Sequence, residues 1–189
     1  MRLSNRTKKR TVKKTSTRWY IFQIFRYGLT LVFVRELFYL CAYYIVNHVK
    51  GVYLVHRGKG VRIRPTVLMR DAQRIYIGDN SKINHNNILW AGKKDAVIRL
   101  GNNVITGPFV QMYAFNHVNK RKDIPIVEQS FVEGDIIVED DVWIGAGSIL
   151  LAGVKVGKGV VIAAGSVVTK NLPPYTLCGG VPARVIKRK

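Results

Sequence analysis

The chain has 189 residues, enough for one domain with a sizeable core plus an appendage, and its 48% hydrophobic content excludes global disorder. Its 31 Lys and Arg against 11 Asp and Glu give a formal charge of +20, which calls for an anionic partner or surface and is silent about the fold. The two cysteines, Cys41 and Cys178, build neither a disulfide framework nor a CxxC motif, so a reducing, cytoplasmic setting is expected.

Residues 1–18 carry eight basic side chains (Arg2, Arg6, Lys8, Lys9, Arg10, Lys13, Lys14, Arg18) and no acid. With so little apolar content this stretch reads as a disordered basic tail. Residues 19–50 reverse that composition, with aromatic and aliphatic residues dominating from Trp19 to Val49. A membrane span needs about 20 consecutive apolar residues, and Gln23, Arg26, Arg35 and Glu36 interrupt this one. One or two helices are expected here. They either lie on an anionic membrane surface, following the pattern of basic residues and then aromatics, or pack on an oligomer.

Residues 51–189 are organised by a period of six. Val138, Ile144, Leu150, Val156, Ile162 and Val168 recur at the first position, and Val142, Ser148, Val154, Val160 and Ser166 at the fifth. Leu100 with Val104, Thr106 with Val110, Ile77 with Ser81 and Ile83 with Asn87 follow the same rule, and Val61 and Val67 begin it. Six is neither the 3.6 of an α-helix nor the strict alternation of a half-buried strand. It fits a triangular coil of short parallel strands, with three hexapeptides per turn and both marked positions facing inward.

The period breaks at 90–96 and again, at greater length, at 117–134. The second break is polar and charged, so it is expected to leave the prism as a loop. Loops on a rigid scaffold are where function concentrates, and this one opens with Asn116-His117.

Three stretches together resemble the hexapeptide-repeat acyltransferases, most of all the galactoside, maltose and capsule-type O-acetyltransferases. One is Asn116-His117 with a charged loop reaching Pro125. The second is Val142-Trp143-Ile144-Gly145-Ala146-Gly147. The third runs from Gly165 through Lys170, Pro173 and Pro174 to Gly180-Val181-Pro182-Ala183-Arg184. The likeness begins near Ile75 and excludes the first 50 residues. It implies an all-β fold, a left-handed parallel β-helix assembled as a homotrimer, to which the apolar helical segment expected from composition at 19–50 is added. It also implies acetyl-CoA as co-substrate and His117 as general base, since an imidazole titrates near neutral pH and a sugar hydroxyl is otherwise a poor nucleophile. The backbone N–H of Ala146 would hold the oxyanion and Trp143 the active-site wall. Ala146, Ala163, Ala164, Lys170 and Arg184 would line the coenzyme groove.

Asn86 and Asn116 are expected on the acceptor side. Galactoside-type enzymes carry paired aspartates after their Asn-x-Asn stretch, whereas this chain reads Trp90-Ala91-Gly92-Lys93-Lys94. That departure, with the apolar segment, points to a bacterial cell-envelope glycan or its precursor as acceptor, at the inner face of the cytoplasmic membrane. The alternatives are N-acetylation of a nucleotide-linked amino sugar and a non-catalytic basic scaffold. No metal is expected, since His48, His56, His85 and His117 have no ligand spacing. Nor is nucleic acid, since the basic run is not interleaved with aromatics.

Overall fold

The computed structural model describes residues 16–119 and 121–189; most of the basic tail therefore lies outside the described residues. The described residues fall into two compact units, 16–43 and 44–189.

In the first unit, helix α1 (Thr17–Gly28) starts at Ser16, whose Oγ accepts the Trp19 N–H at 3.3 Å. Such a cap answers a backbone donor that the first helical turn leaves open. Helix α2 (Leu31–Tyr44) follows, with Thr30 joining the two: its hydroxyl donates to the Tyr27 carbonyl at 2.7 Å and accepts from Phe33 N–H at 3.2 Å. No residue of α1 or α2 is buried, and Phe22, Ile24, Phe25, Phe38 and Leu40 stand open. Among the described residues no single helix is long and apolar enough to cross a membrane. Only the bent pair Thr17–Gly28 and Leu31–Leu54, taken together, reaches that length and composition.

The second unit is the coil that the period of six announces. Its first face stacks His56–Arg57, Ile75–Ile77, Ile98–Leu100, Ile136–Val138 and Lys155–Val156 in parallel. The second stacks Arg62–Ile63, Lys82–Ile83, Ile105–Thr106, Trp143–Ile144, Val161–Ile162 and Thr176–Gly180, closed by the antiparallel strand Ala183–Arg188. The third stacks Leu68–Arg70, Ile88–Trp90, Gln111–Tyr113, Ile149–Leu150 and Val167–Val168. First-position residues Ile77, Ile83, Leu100, Val138, Ile144, Leu150, Val156, Ile162 and Val168 are all buried, as are the fifth-position residues Val142, Val154 and Val160. Polar fifth-position groups are buried because they serve the corners: Ser81 Oγ donates to the Gly101 carbonyl at 2.9 Å and accepts Val104 N–H at 3.0 Å.

Residues 44–54 belong to this body. A π-helical turn (Ile45–Val49) and helix α3 (Lys50–Leu54) sit over the first coil, where His48 Nδ1 pairs with the Val67 carbonyl at 2.8 Å. Gly51 is required there, because a Cβ would lie 2.7 Å from Met69 Cβ. Stacked coils need covered ends, and this short helical cap supplies one of them.

Candidate active site

The long break in the period is an antiparallel ribbon. Phe115–His117 pairs with Phe131–Glu133 in the register Phe115↔Glu133, Asn116↔Val132 and His117↔Phe131. It leaves the coil after the third-face strand Gln111–Tyr113 and re-enters the first face at Ile136, opposite Ile98. The bond from Gly134 N–H to the Ala114 carbonyl (3.0 Å) closes its base. At the far end the buried Gln129 amide donates to the Arg121 and Ile124 carbonyls at 2.8 and 3.2 Å, which organises the tip.

Side chains alternate along such a ribbon. Phe115 and His117 share one side with Phe131 and Glu133, whereas Asn116 points to the other with Val132. His117 is exposed; its ring leans on Phe131, centroids 4.4 Å apart. No acceptor or donor among the described residues holds either imidazole nitrogen.

Glu133 anchors the ribbon, a role that sequence reading missed. Its carboxylate accepts the N–H groups of Lys93 (2.5 Å), Lys94 (3.0 Å), Asp95 (3.1 Å) and Ala96 (3.2 Å), gathering the shorter break into a tight loop. Partial desolvation pushes its pKa up, but the backbone donors outweigh that and hold it at about 2. A carboxyl depressed in the folded state contributes stability that is complete above its unfolded value of 4.5 and is lost as pH falls toward about 2. Glu133→Gln removes the charge and one of the two acceptor oxygens, and puts an amide donor in its place. Amide hydrogen exchange at residues 94–96 is expected to speed up roughly tenfold or more in the variant. Unchanged protection would show that the clasp is dispensable.

Asn86, Ala146, Ala163 and Ala164 occupy the corner between the second and third faces. Five turns stack there: 64–66, 84–86, 107–109, 145–147 and 163–165. Asn86, Phe109, Gly147 and Gly165 hold its left-handed position, with φ between 57° and 69°. Phe109 is the bulky exception, 57% exposed, one coil from Ala146; side chains in this conformation carry strain that proteins tend to retain at functional sites. The middle position decides what each turn offers. Pro65 and Pro108 have no N–H, and the His85 N–H is taken by Asn84 Oδ1 at 2.8 Å. The N–H groups of Ala146 and Ala164 have no acceptor among the described residues. Glycine below Ala146 keeps the stack tight, since a Cβ on Gly107 would lie 2.5 Å from Ala146 N.

Trp143 stands 54% exposed on the second face, between Ile105 and Val161, with Leu177 next in register. Ala163 and Ala164 follow one coil above Ala146, and Arg184 pairs with Gly179 one strand beyond. Asn86 shares this corner two coils below Ala146, roughly 10 Å along the axis at the usual strand spacing. His117, Asn116 and Lys170 lie at the opposite end of the third face. One chain therefore does not bring His117 and Ala146 together.

These features define a hexapeptide-repeat transferase coil, and comparison with known proteins agrees. The family model "Bacterial transferase hexapeptide (six repeats)" matches residues 135–170. The hexapeptide-repeat acetyltransferase of Vibrio cholerae, solved with acetyl coenzyme A, superposes with a TM-score of 0.64 at 32% identity, covering 73% of each chain. Galactoside O-acetyltransferase of Escherichia coli is 31% identical over 135 residues, 69% of this chain and 62% of that protein. A Schizosaccharomyces pombe protein described only as a candidate acetyltransferase is 45% identical over 95 residues, 49% of this chain and 44% of its own length. The alignments thus span about half the length of these curated relatives. The chain belongs to the hexapeptide-repeat acetyltransferases.

Proposed function

We propose that this protein is an acetyl-CoA-dependent O-acetyltransferase acting on a sugar hydroxyl of a cell-envelope glycan or its precursor. The observation that carries this reading is the ribbon that fixes His117, exposed, at the third-face corner of an acetyltransferase coil. His117 takes the hydroxyl proton as that oxygen attacks the thioester carbonyl. The Ala146 N–H holds the resulting oxyanion, and on collapse the imidazolium returns the proton to the departing thiolate.

Because the base and the donor occupy opposite ends of one face, the working unit is a homotrimer. His117, Asn116 and Lys170 come from one subunit, and Ala146, Ala163, Ala164 and Arg184 from its neighbour. The outward apolar run Ile105, Trp143, Val161 and Leu177 on the second face supports such packing. Lys170 and Arg184 bind phosphates of the coenzyme, and Asn86 contributes to the acceptor side. The test is incubation with acetyl-CoA and a panel of envelope glycans and amino sugars, following thiol release and the mass of the product. Acetyl transfer to amines alone would overturn the O-acetyl assignment.

The open aromatic face of α1 and α2, preceded by the basic run, supports a peripheral place on an anionic membrane. Each basic residue near such a surface contributes about 1 kcal/mol, a share that salt screens, whereas inserted aromatics resist it. Full-length protein is expected to float with anionic liposomes, and protein lacking residues 1–50 is not. If the full-length chain never floats at low salt, the helices pack on the trimer instead.

A further inference from the structure

Beside the foot of the ribbon, within the coil body, lies a cleft of about 730 Å³, a volume ordinary for a small-molecule site. Its walls include Lys50 from α3, Arg70 and Trp90 from the third face, and Lys93 from the loop that Glu133 gathers. The cations are not neutralised. Arg70 lies over the Trp90 ring, 4.9 Å from its centroid, and donates to Asn47 Oδ1 at 2.8 Å. Lys93 Nζ sits 3.8 Å from the centre of the Phe131 ring. Asp71, the acid on the wall, pairs with Arg74 at 3.3 Å, and no carboxylate among the described residues pairs with Lys50, Arg70 or Lys93. A chain of rings connects this cleft to the proposed base. Trp90 meets Phe115 at 5.2 Å, Phe115 meets Phe131 at 5.6 Å, and Phe131 meets His117 at 4.4 Å.

We propose that this cleft binds the phosphate of a phosphorylated glycosyl acceptor, with a sugar ring stacked on the Trp90 wall and another part of the acceptor at His117. The assignment rests on the acetyltransferase reading above and names its substrate class. Three cations drawn from a helix, a strand and a loop exceed what one carboxylate would neutralise. A phosphate monoester carries about −1.5 to −2 near neutral pH and offers three strong acceptor oxygens. Arg supplies a planar fork and Lys a point charge, both suited to phosphate. Trp90 is half-buried with Arg70 over its ring, and the part of the indole that lines the cleft offers an apolar wall for a pyranose.

Calorimetric titration of the full-length protein with a hexose 1-phosphate, the parent hexose and the corresponding uronic acid reads the cleft without requiring turnover. The hexose 1-phosphate is expected to bind at least about tenfold more tightly than the other two, and Arg70→Gln and Lys93→Gln each to weaken it roughly tenfold. Lys93 is exposed, so its variant tests the cleft even if loss of the Arg70–Asn47 bond unsettles the cap. In acetyl transfer, the ratio of KM for the neutral sugar to that for the phosphorylated one should collapse toward unity in both variants. Equal binding of all three sugars, or wild-type binding by both variants, overturns the proposal. Uronate binding as tight as phosphate binding overturns the phosphate assignment. Acetyl transfer to neutral glycans with no phosphate binding leaves the proposed function standing and removes only this site. Phosphate binding with no acetyl transfer to any acceptor does the reverse.

Discussion

His117→Ala is expected to lower kcat by roughly 10²–10⁴ while leaving the KM for acetyl-CoA within about twofold. A hydroxyl proton must leave as the oxygen attacks, and no other imidazole shares that side of the ribbon. The residues proposed to hold the coenzyme, including Lys170 at the same corner, are left unchanged by this substitution, so ground-state binding should survive. Truncation also removes the ring that leans on Phe131, 4.4 Å away. Phe131→Leu, which keeps the imidazole and loses the ring contact, separates the two effects and is expected to cost far less. More than half the activity remaining in His117→Ala would remove this residue from the chemistry.

Ala146→Pro is expected to cost roughly 10²–10³ in kcat, the usual loss for one oxyanion donor, with little change in stability. The substitution deletes one N–H from a turn whose geometry already accepts proline, since Pro65 and Pro108 occupy the same place two coils apart in the same stack. Proline fits this second position of a turn whose third position is left-handed, as Gly147 is at φ 68°. The pair of variants also tests how the site is assembled. His117→Ala and Ala146→Pro subunits, co-refolded in equal amounts, leave about a quarter of the subunit boundaries with both groups intact if each boundary draws them from different chains. Recovery to about that fraction of wild-type activity is expected. No recovery from well-mixed trimers would mean that one chain supplies both groups.

The coil was legible because each hexapeptide buries its first and fifth side chains, so Val138-to-Val168 spells out three faces in order. The motifs single out His117 and the Ala146 turn as candidates. Their separation could have been counted: Thr106, Ile144 and Ile162 share one face and Met112, Leu150 and Val168 the next, which places the two groups at opposite corners. The Glu133 clasp was not legible, because its donors lie 37 to 40 residues earlier and any surface glutamate looks alike in sequence. Phe115–His117 and Phe131–Glu133 are too short to show strand alternation, so the ribbon read as a loop. The cap at 45–54 was hidden for a different reason. Its apolar side chains continue the composition of α2, although Asn47 and His48 are buried in the coil body.

The ribbon departs at Ala114 and returns at Ile136 without shifting the stack: Ile136 pairs with Ile98 as though nothing intervened. The core therefore places no constraint on the length or sequence of the excursion, provided that Gly134 still closes its base and Glu133 still grips the neighbouring loop. Selection can then rewrite the tip independently of the prism, residue by residue or as a whole cassette, with the stability of the coil untouched. Exchange of ribbons between such coils would be a direct route to new acceptors, with the point of splicing already marked by two residues.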